Sequence, residues 1–121
     1  MSISNEALQK LVQEIESQAI NSQRDLLKVK QSIASKTREI RLLELTSKEV
    51  STLPSGTNVY EGVGKMFVFS PTAEVDKRLT TETTDLKSDI KNLEKKIQYL
   101  ETTVKNSREH MDQIFNSGGR A

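Results

Sequence analysis

The sequence predicts a mainly α fold: a long antiparallel two-helix coiled coil with one β-hairpin at the helix-connecting end. Two long stretches carry apolar residues in heptad spacing. Both prolines and three of the five glycines lie between them, where β-branched and aromatic residues also cluster. We expect a single domain over 1–121, with helices over 5–53 and 72–116, a hairpin segment over 57–70 and a frayed tail over 117–121.

Composition and charge argue against several classes of protein. Hydrophobic residues make up 34% of the chain and charged residues 29%, with mixed signs and a net charge of +1. A nucleic-acid binder is expected to carry a basic face or tail. The chain has no cysteine, its first residues lack the apolar core of a secretory signal, and no apolar run approaches the roughly 18 residues of a membrane span. We therefore expect a cytoplasmic protein that binds neither nucleic acid nor membrane.

The first helix is predicted by a heptad pattern that keeps its phase from Leu8 to Val50. We call the two positions of each heptad that face the partner helix the seam. Ten of the thirteen seam positions are apolar, which is typical of a coiled coil. The seam consists of Leu8, Val12, Ile15, Ala19, Ser22, Leu26, Val29, Ile33, Lys36, Ile40, Leu43, Ser47 and Val50.

The second helix is predicted by an equivalent pattern, in which nine of eleven seam positions are apolar. Its seam consists of Leu79, Thr83, Leu86, Ile90, Leu93, Ile97, Leu100, Val104, Ser107, Met111 and Ile114. Two registers of the antiparallel pair are open. Val29 lies opposite Ile97 in the first register and opposite Val104 in the second.

The segment between the helices predicts a β-hairpin. Pro54 ends the first helix, because the residue before a proline is pushed out of the helical region. Residues 59–63 and 66–70 are rich in β-branched and aromatic residues and flank the pair Gly64-Lys65, which favours a type II′ turn.

Both faces of this hairpin are expected to be apolar. Pairing across the turn places Tyr60, Phe67 and Phe69 on one face, with valines and a methionine on the other. An isolated hairpin is marginally stable, so we expect other chains to cover it; alternatively, one face covers the end of the coiled coil and the other stays exposed. The expected assembly residues are Val59, Tyr60, Val63, Gly64, Met66, Phe67, Val68 and Phe69.

The hairpin sequence resembles that of the β-type subunits of prefoldin. Residues 58–68 place an aromatic residue three to four positions before a Val-Gly turn, with an apolar strand after the turn. The order of helix, hairpin and helix is similar over essentially the whole chain, although the coiled-coil part is unspecific.

This resemblance implies a subunit of a hetero-hexameric, ATP-independent co-chaperone. Two α-type and four β-type subunits would join through their hairpins into a double β-barrel. The coiled-coil tips would bind unfolded proteins such as actin and tubulin and deliver them to the cytosolic chaperonin.

Apolar residues near the two chain ends are the expected client-binding tips. An antiparallel pair brings these ends together, and contiguous exposed apolar surface often binds a partner, although scattered exposed apolar residues are also normal. The expected tip residues are Ile3, Leu8, Leu11, Val12, Met111, Ile114 and Phe115.

Two other classes of function compete with this one. A structural or adaptor coiled coil, whose hairpin docks one defined partner, fits the same heptads. We do not expect an enzyme, because the chain has one histidine, His110, and no cysteine to build a catalytic or metal site. We expect no catalytic residue, no metal and no cofactor.

Overall fold

A computed structural model describes residues 4–118 of the protein. Helix α1 spans Asn5–Ser51, strand β1 Val59–Val63, strand β2 Met66–Ser70 and helix α2 Thr72–Gly118. This is the predicted order of elements. The contacts divide the chain into two compact units. The hairpin unit comprises residues 33–92, and the terminal unit comprises the chain before and after it.

Helix α1 begins at a serine cap and ends earlier than predicted. Ser4 Oγ accepts a hydrogen bond of 3.2 Å from the backbone N–H of Ala7, which satisfies one of the free amides of the first turn. The helix ends at Ser51 and not at residue 53. The N–H of Leu53 bonds to the carbonyl three residues back, at Val50, because the last turn tightens before Pro54.

Helix α2 begins at Thr72 as predicted and ends two residues beyond the predicted residue 116. The carbonyl of Pro71 accepts the backbone N–H groups of Glu74 and Val75 at 3.0 and 3.1 Å. Nothing before Gly118 breaks the helix, and glycine is a common residue where a helix terminates. The part of the predicted tail beyond Gly118 lies outside the described residues.

The predicted seam lies on the packed side of both helices. All twenty-four predicted seam residues are buried or half-buried in the structure. In the terminal unit the most buried are Ile15, Val29 and Leu100, together with the polar Ser22 and Ser107. The phase predicted from the heptads is therefore the phase of the packed helices.

Polar contacts in the hairpin unit distinguish between the two registers. Lys36 Nζ lies 3.7 Å from Asp89 Oδ2, next to Ile90, which faces Lys36 in the first register. In the second register Lys36 would face Ile97, which lies about 12 Å beyond Asp89 along α2 by helix rise. Ser47 Oγ donates a 2.9 Å hydrogen bond to Asp76 Oδ1, which is likewise within reach only in the first register. These two contacts indicate the first register in the hairpin unit.

The two strands form an antiparallel hairpin with a two-residue turn. Val63 pairs with Met66, and Val59 pairs with Ser70. Gly64 has a φ of 61°, and no residue other than glycine has a positive φ in residues 4–118. A positive φ at Gly64 without a positive φ at Lys65 is the pattern of the predicted type II′ turn and not of a type I′ turn.

Candidate assembly and client-binding surfaces

One face of the hairpin is aromatic. Tyr60 pairs with Phe69, and Gly62 pairs with Phe67, so these side chains share a face. Tyr60, Phe67 and Phe69 are 58%, 77% and 55% exposed. The rings of Tyr60 and Phe69 meet edge to face at 6.0 Å, a favoured arrangement of aromatic rings. We call these three residues the aromatic face.

The opposite face of the hairpin is aliphatic. It carries Val59, Val63, Met66 and Val68, as predicted from the pairing across the turn, and also Glu61 and Ser70. Val63, Met66 and Val68 are exposed, whereas Val59 and Glu61 are half-buried. The aliphatic face is therefore covered within its own chain only near the base of the strands.

Glu61 connects the aliphatic face to helix α2. Its carboxylate forms an ion pair with the guanidinium of Arg78, and its Oε1 atom is shielded from solvent. Sequence reasoning missed this pair. A signal was present, because Glu61 is the one charged residue in the two strands.

Val75 is a second feature of the hairpin unit that the heptads did not predict. It is 5% exposed although it lies outside the seam, which begins at Leu79. It is located one turn before Arg78 on α2. The first turns of α2 are therefore covered on a side that the predicted seam does not include.

The predicted tip residues lie in the terminal unit, except that Ile3 is outside the described residues. Phe115 is 61% exposed. The other five are half-buried, so each offers part of its apolar surface to solvent: Leu8, Leu11, Val12, Met111 and Ile114.

A metal site and a membrane-spanning helix are two other functional features that a helical protein can carry. Within residues 4–118, no group of three or more histidine, cysteine, aspartate or glutamate residues is arranged to hold a metal ion. In the same range, neither helix has an apolar stretch long enough to cross a membrane.

Comparison with known proteins identifies the family. A family model described as "Prefoldin subunit" matches residues 6–118. The chain belongs to the prefoldin family. A probable prefoldin subunit 1 of Schizosaccharomyces pombe is 36% identical over 110 residues, which cover 91% of this chain and 98% of that protein. Human prefoldin subunit 1 is 30% identical over 108 residues, covering 89% of this chain and 88% of the human one.

A solved prefoldin structure has the same fold. The prefoldin β subunit from Thermococcus strain KS-1 superimposes with a TM-score of 0.74 at 22% identity, over 88% of this chain and 91% of that one. The predicted fold of two long helices with one hairpin is confirmed, as is the resemblance to prefoldin. Prefoldin is a chaperone built from several subunits, so this chain assembles with other prefoldin subunits.

Proposed function

We propose that the chain is a β-type subunit of a hetero-hexameric, ATP-independent co-chaperone in the cytoplasm. Its hairpin joins it to α-type and β-type subunits. Its tips hold unfolded proteins such as actin and tubulin for delivery to the cytosolic chaperonin. The observation that carries the proposal is the exposure of large apolar side chains on both faces of a two-stranded sheet.

The hairpin supports assembly through its exposed surface and its free strand edges. Burying one large apolar side chain contributes about 1.5–3 kcal/mol, and six such residues are exposed in the strands: Tyr60, Val63, Met66, Phe67, Val68 and Phe69. Within residues 4–118, each strand also has one edge without a partner, because the sheet has two strands. Hairpins of related subunits would cover the faces and pair the edges at once.

The chain ends support the binding of unfolded proteins. An unfolded client offers apolar segments of varied shape, which partly exposed and adaptable side chains can contact. Met111 is half-buried and flexible, and Phe115 presents most of its ring to solvent. These are weak individual contacts, and several subunits acting together would increase the overall affinity.

The assembly role is tested by replacing Phe67 with aspartate. Phe67 is 77% exposed, so Phe67→Asp leaves the isolated fold largely intact. An unpaired carboxylate buried in an interface is strongly unfavourable. We expect Phe67→Asp to be absent from the oligomer when the chain is co-expressed with its partner subunits and analysed by native mass spectrometry.

The matched control is Tyr99→Asp, because Tyr99 is 71% exposed and lies on α2 in the terminal unit. This variant should enter the oligomer normally, and circular dichroism should show equal helicity for both variants. Normal incorporation of Phe67→Asp would contradict the assembly role. A complex with one defined partner, in place of a hexamer, would favour an adaptor.

A further inference from the structure

The hairpin is attached to helix α2 by more than its short connection. The Glu61 carboxylate, from the middle of β1, forms an ion pair with Arg78, two turns into α2. Both residues belong to the hairpin unit. The side chain of Glu61 is 20% exposed and that of Arg78 is 51% exposed. The carboxylate is therefore the more enclosed partner of the pair.

Burial near this pair indicates which hairpin face lies against the helix. Val59 and Glu61 are the half-buried residues of β1, and both lie on the aliphatic face. Val75, which precedes Arg78 by one turn, is buried outside the seam. The aromatic face has no such cover, because all three of its side chains are exposed.

We propose that the Glu61–Arg78 ion pair is a positioning device that holds the aliphatic face on α2 and so presents the aromatic face to a neighbouring subunit. The inference rests on the proposed assembly role of the hairpin. The partner surface is a strand pair of a related subunit that offers apolar side chains. Glu61 and Arg78 are positioning residues, and they need not contact the neighbour themselves.

The chemistry of the pair explains why a carboxylate occupies an otherwise apolar strand. A shielded carboxylate oxygen is unfavourable without a partner, so Glu61 stabilises only hairpin orientations in which it reaches a cation. Arg78 supplies a planar guanidinium with several donors, which constrains geometry more than a lysine ammonium does. Apolar contacts alone would not distinguish the two hairpin faces, because both faces are apolar.

The test reverses the charges of Glu61 and Arg78 in the full chain, and measures the fraction of each variant that enters the oligomer. Glu61→Arg and Arg78→Glu each place like charges together. Each should lower the fraction entering the oligomer by about three- to tenfold in competition with the unsubstituted chain, on the scale of coupled charge pairs. The double variant Glu61→Arg/Arg78→Glu restores the attraction and should recover most of the loss. Native mass spectrometry measures the fractions.

A second readout separates orientation from general damage. In each single variant, hydrogen exchange should accelerate in strands β1 and β2, while the seam amides of both helices keep their protection. The control pair is Glu44 and Lys87, which lie 3.5 Å apart in the same unit with both side chains more than half exposed. Glu44→Lys and Lys87→Glu should leave incorporation within about twofold, as expected for an exposed pair.

Three results would overturn the proposal. Normal incorporation of Glu61→Arg, with Phe67→Asp excluded, would leave the assembly role intact and remove the positioning role. A double variant no better than the single variants would show that the two residues act separately. Normal incorporation of Phe67→Asp would overturn the assembly role itself, and the positioning role with it.

Discussion

Gly64 is the first of the two residues that connect the strands, and its φ of 61° lies in the left-handed region that favours glycine. A Cβ added there would meet no atom within 4 Å, so a side chain would be opposed by the backbone angle alone. Gly62, two residues earlier, has no positive φ, and a Cβ there would make an ordinary 3.8 Å contact with Phe67. Both positions have room for a Cβ, and only Gly64 has a positive φ, so Gly62→Ala is a matched control for Gly64→Ala.

We predict that Gly64→Ala destabilises the hairpin by about 1 kcal/mol, whereas Gly62→Ala has little effect. The difference arises because alanine at position 64 must adopt the left-handed region. The measurement is the Tm of the isolated chain, in which no neighbouring subunit covers position 62, at a fixed concentration, since oligomer stability depends on concentration. Equal Tm values for the two variants would contradict a glycine requirement at the turn.

The ion pair between Glu61 and Arg78 could not be predicted from the sequence. A lone carboxylate in an apolar strand indicates a partner, but the sequence does not specify the angle between the hairpin and α2. Arg78 is one of two adjacent basic residues in the first turns of the second helix, beside Lys77. The burial of Val75 was not predicted either, because Val75 lies outside the heptad pattern.

At the scale of elements, the helices were highly predictable. A heptad repeat specifies which positions face the partner, and all the predicted seam positions are at least half-buried, including Lys36 and Ser47. The helix ends were less predictable. Pro54 indicates that a helix must stop but not how many residues the tightened last turn uses, so the observed end at Ser51 precedes the predicted one.

The register was open in the sequence because both alignments bury apolar residues. It was determined by contacts of short or charged side chains, such as the hydrogen bond between Ser47 and Asp76. These contacts lie in the hairpin unit. Because the heptad phase of the seam is unbroken from Leu8 to Val50, we expect the same register in the terminal unit.

We predict that cysteines at positions 29 and 97 form a disulfide rapidly within one chain, and that cysteines at 29 and 104 form it slowly. In the first register Val29 faces Ile97, while Val104 lies about 10 Å further along α2 by helix rise. The chain has no cysteine of its own, so no other disulfide competes. Oxidation followed by non-reducing electrophoresis gives the rates. Faster closure at 104, or links between chains only, would refute this pairing.

At the scale of the whole molecule, the chain has a thin core and much apolar surface outside it. Within the described residues, five hydrophobic side chains are buried and none of the large side chains is fully enclosed. The exposed apolar residues include the hairpin set in one unit and Phe115 in the other. Separate surfaces of this kind permit separate functions, which we propose to be assembly and client binding.

The tip proposal is tested by the combined variant Leu11→Ser/Met111→Ser/Phe115→Ser. We expect severalfold weaker suppression of client aggregation by the assembled complex, because the apolar contact area at the chain ends is lost. The control is Ile20→Ser/Leu27→Ser, which removes two apolar residues that are more than half exposed in the same unit but further from the ends. Circular dichroism must show equal helicity, since Met111 is also a seam residue.

Several tips acting together can hide a defect in one subunit, because multivalent binding retains affinity after one contact weakens. Crosslinking avoids this problem, since it reports where the client lies and not how tightly it is held. We predict that a photoreactive residue at position 11 or 115 captures bound actin or tubulin, and that one at the exposed Tyr99 captures much less. If a photoreactive residue at position 67 captured the client, and residues at positions 11 and 115 never did, clients would bind at the hairpin and not at the tips.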